Sequence, residues 1–204
     1  SMHSYYSKTN NHYHEANYKI FVAEVASTVN ELLLCKYMLK NTEDKNKKLF
    51  ILNELMELFR TTIYRQTMFA EFEREIHKKC EEGEILTSEF ISNIYLDLNK
   101  KYFGKNVYID EEIKYEWARI PHFYSSFYVY QYATGLSAAC YIVNRILNNE
   151  GNAVHDYLEF LKTGGRDYPI NELKIAGVDM CDKKVIESAV KMFDSIIEEF
   201  KTLL

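Results

Sequence analysis

Seven glycines and two prolines are spread over 204 residues, where roughly 12% of an ordinary chain is one or the other. Tight turns draw mainly on these two residue types, because glycine adopts positive φ without penalty and proline arrives with φ already set. A chain this short of both cannot join many short strands, so a sheet-rich architecture is excluded. What remains is a small set of long helices with few turns between them. Hydrophobic residues make up 47% and aromatic residues 15% of the chain, which is ample for a buried core and excludes disorder.

The apolar spacing points the same way. Ile20, Phe21, Val25, Val29, Leu32, Leu33, Cys35 and Met38 recur at steps of three and four and predict a largely buried helix over about 17–39. Thr42 or Asp44 suits the cap of a second, very long helix, with Phe50, Leu52, Leu55, Phe59, Ile63, Met68, Phe72 and Ile76 as its inner stripe and Gly83 as its stop. Ser88 and Glu89 open a third helix that Gly104 closes, followed by a loop carrying Val107 and Ile109. Pro121 fits the first turn of a long, aromatic-rich helix reaching Asn149. Asn152 caps a fifth helix to Leu161, Gly164-Gly165 forms a flexible turn, Pro169 starts a short helix ended by Gly177, and Asp182 caps the last one to Leu203. No repeat, low-complexity tract or linker interrupts this order. The predicted fold is an all-α multi-helix bundle, with residues 1–204 forming a single domain.

Charge and cysteine usage narrow the setting. Lys and Arg number 25 against 30 Asp and Glu, a net charge of −5, so no basic field exists to attract nucleic acid or an anionic membrane surface. Cys35, Cys80, Cys140 and Cys181 lie too far apart for a paired metal-ligand spacing and match no disulfide framework. No apolar run is long enough to span a bilayer, and the first thirty residues are too polar for a signal peptide. The chain is expected to be soluble and cytoplasmic with reduced thiols.

Three places carry candidate chemistry. Glu24 is a lone carboxylate within the apolar stretch Phe21 to Val29; buried there it needs a cation, a hydrogen-bond network or a metal, and the alternative is that it faces solvent beside Lys19 or Thr28. Periodicity fits both. Tyr124, Tyr128 and Tyr132 fall at i, i+4 and i+8, so on one helix they project three phenols from one face with His122 at its start. That row either packs as amphipathic core or aims donors at an oxyanion in a cleft. The N-terminal group His3, His12, His14 and Glu15 offers imidazoles for a metal, although scattered surface histidines are commoner. A di-iron helix pair is excluded, since it needs Glu three residues before His and those positions hold Arg74, Arg119 and Asn152.

Five blocks in order, Ser1 to Ser7, Ile20 to Glu31, Arg119 to Gly135, Gly164 to Pro169 and Ala176 to Met180, resemble the C-terminal part of oligoendopeptidase F, within the thimet oligopeptidase family of zinc peptidases. The resemblance spans nearly the whole chain. It implies the C-terminal half of a zincin-type helical catalytic domain that hydrolyses short peptides. In that family two histidines of an H-E-x-x-H helix and a downstream glutamate hold the zinc, and the glutamate of the motif is the general base. Glu24 matches the downstream ligand. His122, Tyr128 and Tyr132 match the positions that bind substrate and stabilise the oxyanion, with the thimet branch's third tyrosine landing on Gly135.

The sequence contains no H-E-x-x-H. In the family this motif directly precedes the segment resembling Ser1 to Ser7, so the chain reads as starting just past the second zinc histidine. Taken alone it is expected to hold no tight zinc, to hydrolyse nothing, and to self-associate through the surface that the rest of a catalytic domain would cover. The alternative from another class is a non-catalytic helical module, encoded by a truncated gene, that binds peptides or partners.

Overall fold

The computed structural model describes residues 2–204, and among these the backbone is helical with no strand. Nine α-helices follow in order among the described residues: α1 Met2–Asn10, α2 Ile20–Asn41, α3 Lys45–Phe59, α4 Arg65–Glu81, α5 Ser88–Phe103, α6 Tyr130–Leu147, α7 Ala153–Thr163, α8 Pro169–Ile175 and α9 Lys184–Leu203. A π-helical turn, Arg60–Tyr64, lies between α3 and α4, and 3₁₀ segments occupy Glu111–Arg119 and Pro121–Tyr124. No helix among the described residues is long and apolar enough to cross a membrane. The all-α prediction therefore holds.

Two compact units make up the fold, one combining the chain up to Phe59 with Thr134–Leu204, the other Arg60–Ala133. In the first, α9 buries Val185, Ala189, Met192 and Ile196, a run at three- and four-residue steps that gives the helix one apolar stripe. That stripe lies along α3, where Phe59 and Phe193 stack at 5.1 Å between ring centroids. Helix α2 contributes Val22, Val25, Val29 and Leu32 to the same core, and the Tyr157 hydroxyl of α7 donates to the Ala26 carbonyl at 3.1 Å. Burial pushes that phenol up to about 12. All four cysteines are free thiols, and burial raises Cys140 to about 12.

Helix α1 sits against α7, with the buried His3 ring between Tyr18 and Phe160 at 4.8 and 5.7 Å. Just beyond α7 the backbone of Gly164 comes so close that an added Cβ would stand 2.6 Å from the Ser7 nitrogen, and at Gly165 2.4 Å from Tyr18 Cβ. Both glycines also have positive φ, +60° and +85°. The pair that reads in sequence as a flexible turn is thus a close-approach site, which only a residue without Cβ satisfies.

In the second unit Met68, Phe69 and Phe72 of α4 meet Tyr95 and Leu98 of α5, and Val129 completes the cluster. The Thr87 hydroxyl caps α5 by accepting the Phe90 N–H at 3.2 Å.

Three sequence expectations are corrected. Phe50, assigned to the inner stripe of the second helix, is 65% exposed, because the stripe begins at Ile51 and Leu52. The segment after Gly104 is not all loop, since Glu111–Arg119 winds as 3₁₀ helix with the Asp110 carboxylate accepting the Glu112 N–H. The helix foreseen from Pro121 to Asn149 is broken: 3₁₀ turns end at Tyr124 and α6 begins only at Tyr130.

Substituting Gly164 by Ala should cost about 3 kcal/mol or more, combining positive-φ strain with a clash against backbone, while Gly83→Ala, at φ +86° with open space around it, should cost about 1 kcal/mol. Urea denaturation of both variants checks the contrast; equal losses would show that the close approach at Gly164 contributes nothing.

Candidate active site

The break before α6 is where the predicted histidine and tyrosines meet. Phe123 enters the α4–α5 core, its ring 5.4 Å from Phe69 and 5.2 Å from Phe72. Six residues on, Val129 is 1% exposed within the same core. With these two apolar anchors fixed, the residues between them must loop outward. The neighbours of the anchors, His122 and Tyr128, emerge side by side with rings stacked at 5.8 Å.

Tyr132, in the first turn of α6, closes the group. Its ring is 5.7 Å from Tyr128 and 6.0 Å from His122, both edge-on, and its hydroxyl lies 3.4 Å from His122 Nε2. Which of the two donates follows the imidazole tautomer. His122 is exposed, whereas Tyr128 and Tyr132 are half-buried. The structure therefore brings together all three residues singled out in the sequence, by a route the sequence did not foresee. They do not share one helix face. Tyr124, the first phenol of the supposed stripe, belongs to the 3₁₀ turn and is 90% exposed.

The approach to His122 is held by a charged cluster. Glu116 accepts Arg65 at 2.7 Å, Arg119 at 2.5 Å and the Tyr95 hydroxyl at 2.7 Å. Burial alone would raise its carboxyl, but the Tyr95 and Arg65 hydrogen bonds and the charges of Arg65 and Arg119 outweigh that and hold it below the usual carboxylate range. Burial, then the Glu116 carboxylate, push Tyr95 far above the ordinary phenol value.

Sequence reasoning missed Glu73 and Phe127. Glu73 is 2% exposed and its Oε1 accepts the Phe127 N–H at 3.0 Å, while Phe127 adopts φ +56° with its ring 4.6 Å from His77. Burial raises the Glu73 carboxyl, the Phe127 N–H and His77 opposing. A signal existed, because Glu73 falls four residues after Phe69 and three before Ile76, on the buried stripe of α4.

In the other unit Glu24 is half-buried on α2. Gly135 of α6 faces it: a Cβ built there would lie 3.7 Å from the Phe21 ring and 3.9 Å from Glu24 Cβ. Alanine fits that space; a larger side chain would have to displace Phe21 or Glu24. The N-terminal histidines do not form a site. His3 is buried, with its imidazole lowered by burial, and His12, His14 and Glu15 are exposed.

Among the described residues no three His, Cys, Asp or Glu side chains gather to hold a metal ion. A catalytic zinc takes three protein ligands and keeps a fourth position open. Glu24 is the right donor type for one of the three, and the residues described do not by themselves fit a whole zinc site.

Comparison with known proteins places this helical scaffold in a family of peptidases. Residues 1–192 match Peptidase family M3, and the chain belongs to that family. It is 55% identical over its full length to oligopeptidase PepF of Bacillus subtilis, covering 30% of that protein, and 44% identical to group B oligopeptidase PepB of Streptococcus agalactiae, covering 34%. The crystal structure of oligoendopeptidase-F from Enterococcus faecium superposes with a TM-score of 0.89 at 44% identity, over 99% of this chain and 36% of that one. A putative peptidase from Chlamydophila abortus gives 0.92 at 45% identity, over 100% and 34%. The chain thus spans about a third of the length of the relatives it matches.

The cluster at Glu116 gives a signed pH dependence. A carboxyl lowered in the folded state contributes stability that is complete above its unfolded value, about 4.3, and is lost as pH falls through the lower folded value. Glu116→Gln should therefore cost about 2 kcal/mol at pH 7, with the difference from the parent shrinking towards zero below about pH 4. Chemical denaturation across that range measures it; a deficit that persists undiminished at pH 3 would contradict the assignment.

Proposed function

We propose that this chain is the C-terminal helical part of a zinc-dependent oligoendopeptidase that hydrolyses short peptides in the cytoplasm, contributing Glu24 as one zinc ligand and His122, Tyr128 and Tyr132 as the donors that hold the substrate and stabilise its oxyanion. The observation that carries this reading is the meeting of His122, Tyr128 and Tyr132, residues from three different local structures, in one mutually touching group. Family membership supplies the reaction class. Zinc, when bound, supplies Lewis-acid polarisation and a water acidified towards about pH 7.

The chain's own residues then have distinct tasks. As water adds to a peptide carbonyl, negative charge collects on its oxygen, and donors placed in advance stabilise that charge without reorganising. With His122 Nε2–H donating to the Tyr132 oxygen, the Tyr132 hydroxyl acts as a donor towards the oxyanion. With the opposite tautomer His122 accepts from Tyr132, so the pair can settle the orientation of both groups. A separation of 3.4 Å leaves room to tighten around substrate, as catalytic hydrogen bonds commonly do. Tyr128, stacked on the imidazole, limits the rotation of His122 and covers one face of it.

Self-association belongs to the same reading. Tyr37 and Phe50 are 66% and 65% exposed, and with Met38 they line an open groove of about 550 Å³. Exposed apolar surface of this kind favours contact between copies.

By itself the chain should retain no stoichiometric zinc after dialysis and should not cleave a quenched fluorescent peptide, since one carboxylate cannot replace three ligands and a base. Metal analysis and a peptide assay decide this, and a 1:1 zinc content with turnover would overturn the ligand assignment.

In a full-length peptidase carrying this sequence, Tyr132→Phe should lower kcat by about 10²-fold with zinc retained, the loss typical of one oxyanion donor. Glu24→Gln should lose both zinc and activity. Unchanged zinc in the Glu24 variant would remove that residue from the site.

A further inference from the structure

Between its two apolar anchors, Phe123 and Val129, the polypeptide turns through Ser125, Ser126 and Phe127 with no glycine or proline to shape it. Phe127 takes the left-handed conformation at φ +56°, where a bulky side chain is strained. Its N–H points away from solvent to Glu73 Oε1 at 3.0 Å, and its ring rests on His77, one turn further along α4, at 4.6 Å. One residue later the chain has reversed: the Tyr128 N–H donates to the Ser125 carbonyl at 3.1 Å, and the Tyr128 ring faces His122 and Tyr132.

We propose that Glu73 is a positioning residue for the His122–Tyr128–Tyr132 group, its buried carboxylate holding the Phe127 N–H and thereby the left-handed turn that delivers Tyr128 to the other two. The proposal rests on the reading of that group as substrate-facing, while the geometry it explains stands independently of that reading.

This carboxylate is deeply buried. Glu73 is 2% exposed, its Oε1 is taken by Phe127, and its Oε2 is buried without a hydrogen-bond partner among the described residues. Isolating a carboxyl in this way opposes folding. The same site filled by leucine would extend the stripe of Phe69, Phe72 and Ile76 without that penalty. What leucine would lose is the acceptor for the Phe127 amide. Without it, the turn keeps only the His77 ring contact and the Tyr128-to-Ser125 hydrogen bond against the strain at φ +56°, and the Ser125–Phe127 stretch relaxes towards negative φ. Tyr128 sits at the hinge of that change, so its ring leaves the imidazole even though Phe123 and Val129 stay anchored.

The experiment has two arms. In this chain, amide hydrogen exchange followed by NMR should show Phe127 protected by about 10²-fold or more against a free amide, with a through-hydrogen-bond coupling to the Glu73 carboxyl carbon. Glu73→Leu should abolish that protection and shift the ring resonances of His122, Tyr128 and Tyr132; Glu73→Gln, which keeps a carbonyl acceptor, should restore both. An unprotected Phe127 amide in the parent chain, or protection unchanged in Glu73→Leu, overturns the proposal, and the first of these readouts stands even where the leucine variant does not fold. In a full-length peptidase, Glu73→Leu should lower kcat about tenfold with KM within about twofold, as a misplaced donor does, and Glu73→Gln should recover most of it. If Tyr132→Phe leaves kcat untouched while Glu73→Leu still frees the Phe127 amide, the catalytic reading fails and the positioning role survives. If Tyr132→Phe lowers kcat and Glu73→Leu changes neither amide nor kcat, the reverse holds.

Discussion

A buried carboxylate reaching across 54 positions of sequence to one amide does in this protein what glycine or proline does in most. With so few of either residue, a break that has no glycine or proline must be made by tertiary structure. Between Tyr124 and Tyr130 the stop is made by two apolar side chains committed to the α4–α5 core and by the Glu73 carboxylate, which accepts the amide that a helix would have used internally. The position of Tyr128 beside His122 follows from those three restraints, and so does the start of α6 that carries Tyr132.

The same device recurs in the other unit. Glu172 of α8 is fully buried, and its carboxylate accepts the Asp167 N–H at 3.4 Å. Burial raises this carboxyl as well, with Thr163 and the backbone amides of Asp167, Gly165 and Arg166 opposing. Here the loop also contains Gly164 and Gly165, which permit contact with Ser7 and Tyr18, so the carboxylate supplements glycine instead of replacing it. Both sites use a charged group as a substitute for missing backbone partners, and both oppose its ionisation. A carboxyl raised in the folded state favours folding most at low pH and loses that advantage as pH rises through its folded value, the opposite sign to Glu116. The stability profile of the protein is therefore the sum of two tendencies, with Glu73 and Glu172 opposing Glu116.

How much of this is legible without coordinates depends on whether the cause is local. Helix α9 was readable because Val185, Ala189, Met192 and Ile196 carry the period within one segment, and the ends at Gly104 and Gly177 because positive φ there calls for glycine. The 3₁₀ segment Glu111–Arg119 was not, since its apolar members Ile113 and Trp117 are too few to display a period. Nor was the break at Ser125 to Val129, whose cause lies in Glu73. For the site, the family resemblance groups His122, Tyr128 and Tyr132, whose rings meet in the structure, but they share no helix face, because i, i+4 and i+8 spacing describes a face only if the helix is intact. Phe50 differs because it stands next to Ile51 and Leu52, and the face of α3 that is buried takes Ile51, Leu52, Leu55 and Phe59 instead.

Glu24 is the residue for which local physics and family resemblance contribute different parts. Local physics asked whether a carboxylate amid Phe21, Val22 and Val25 is buried or solvated, and the structure gives an intermediate answer. The Glu24 stem lies near the helix face that passes at Gly135, where a built Cβ would stand 3.9 Å from Glu24 Cβ. A Cβ at residue 135 would make only ordinary contacts with the Phe21 ring and Glu24 Cβ, so the packing there tolerates alanine where the glycine stands.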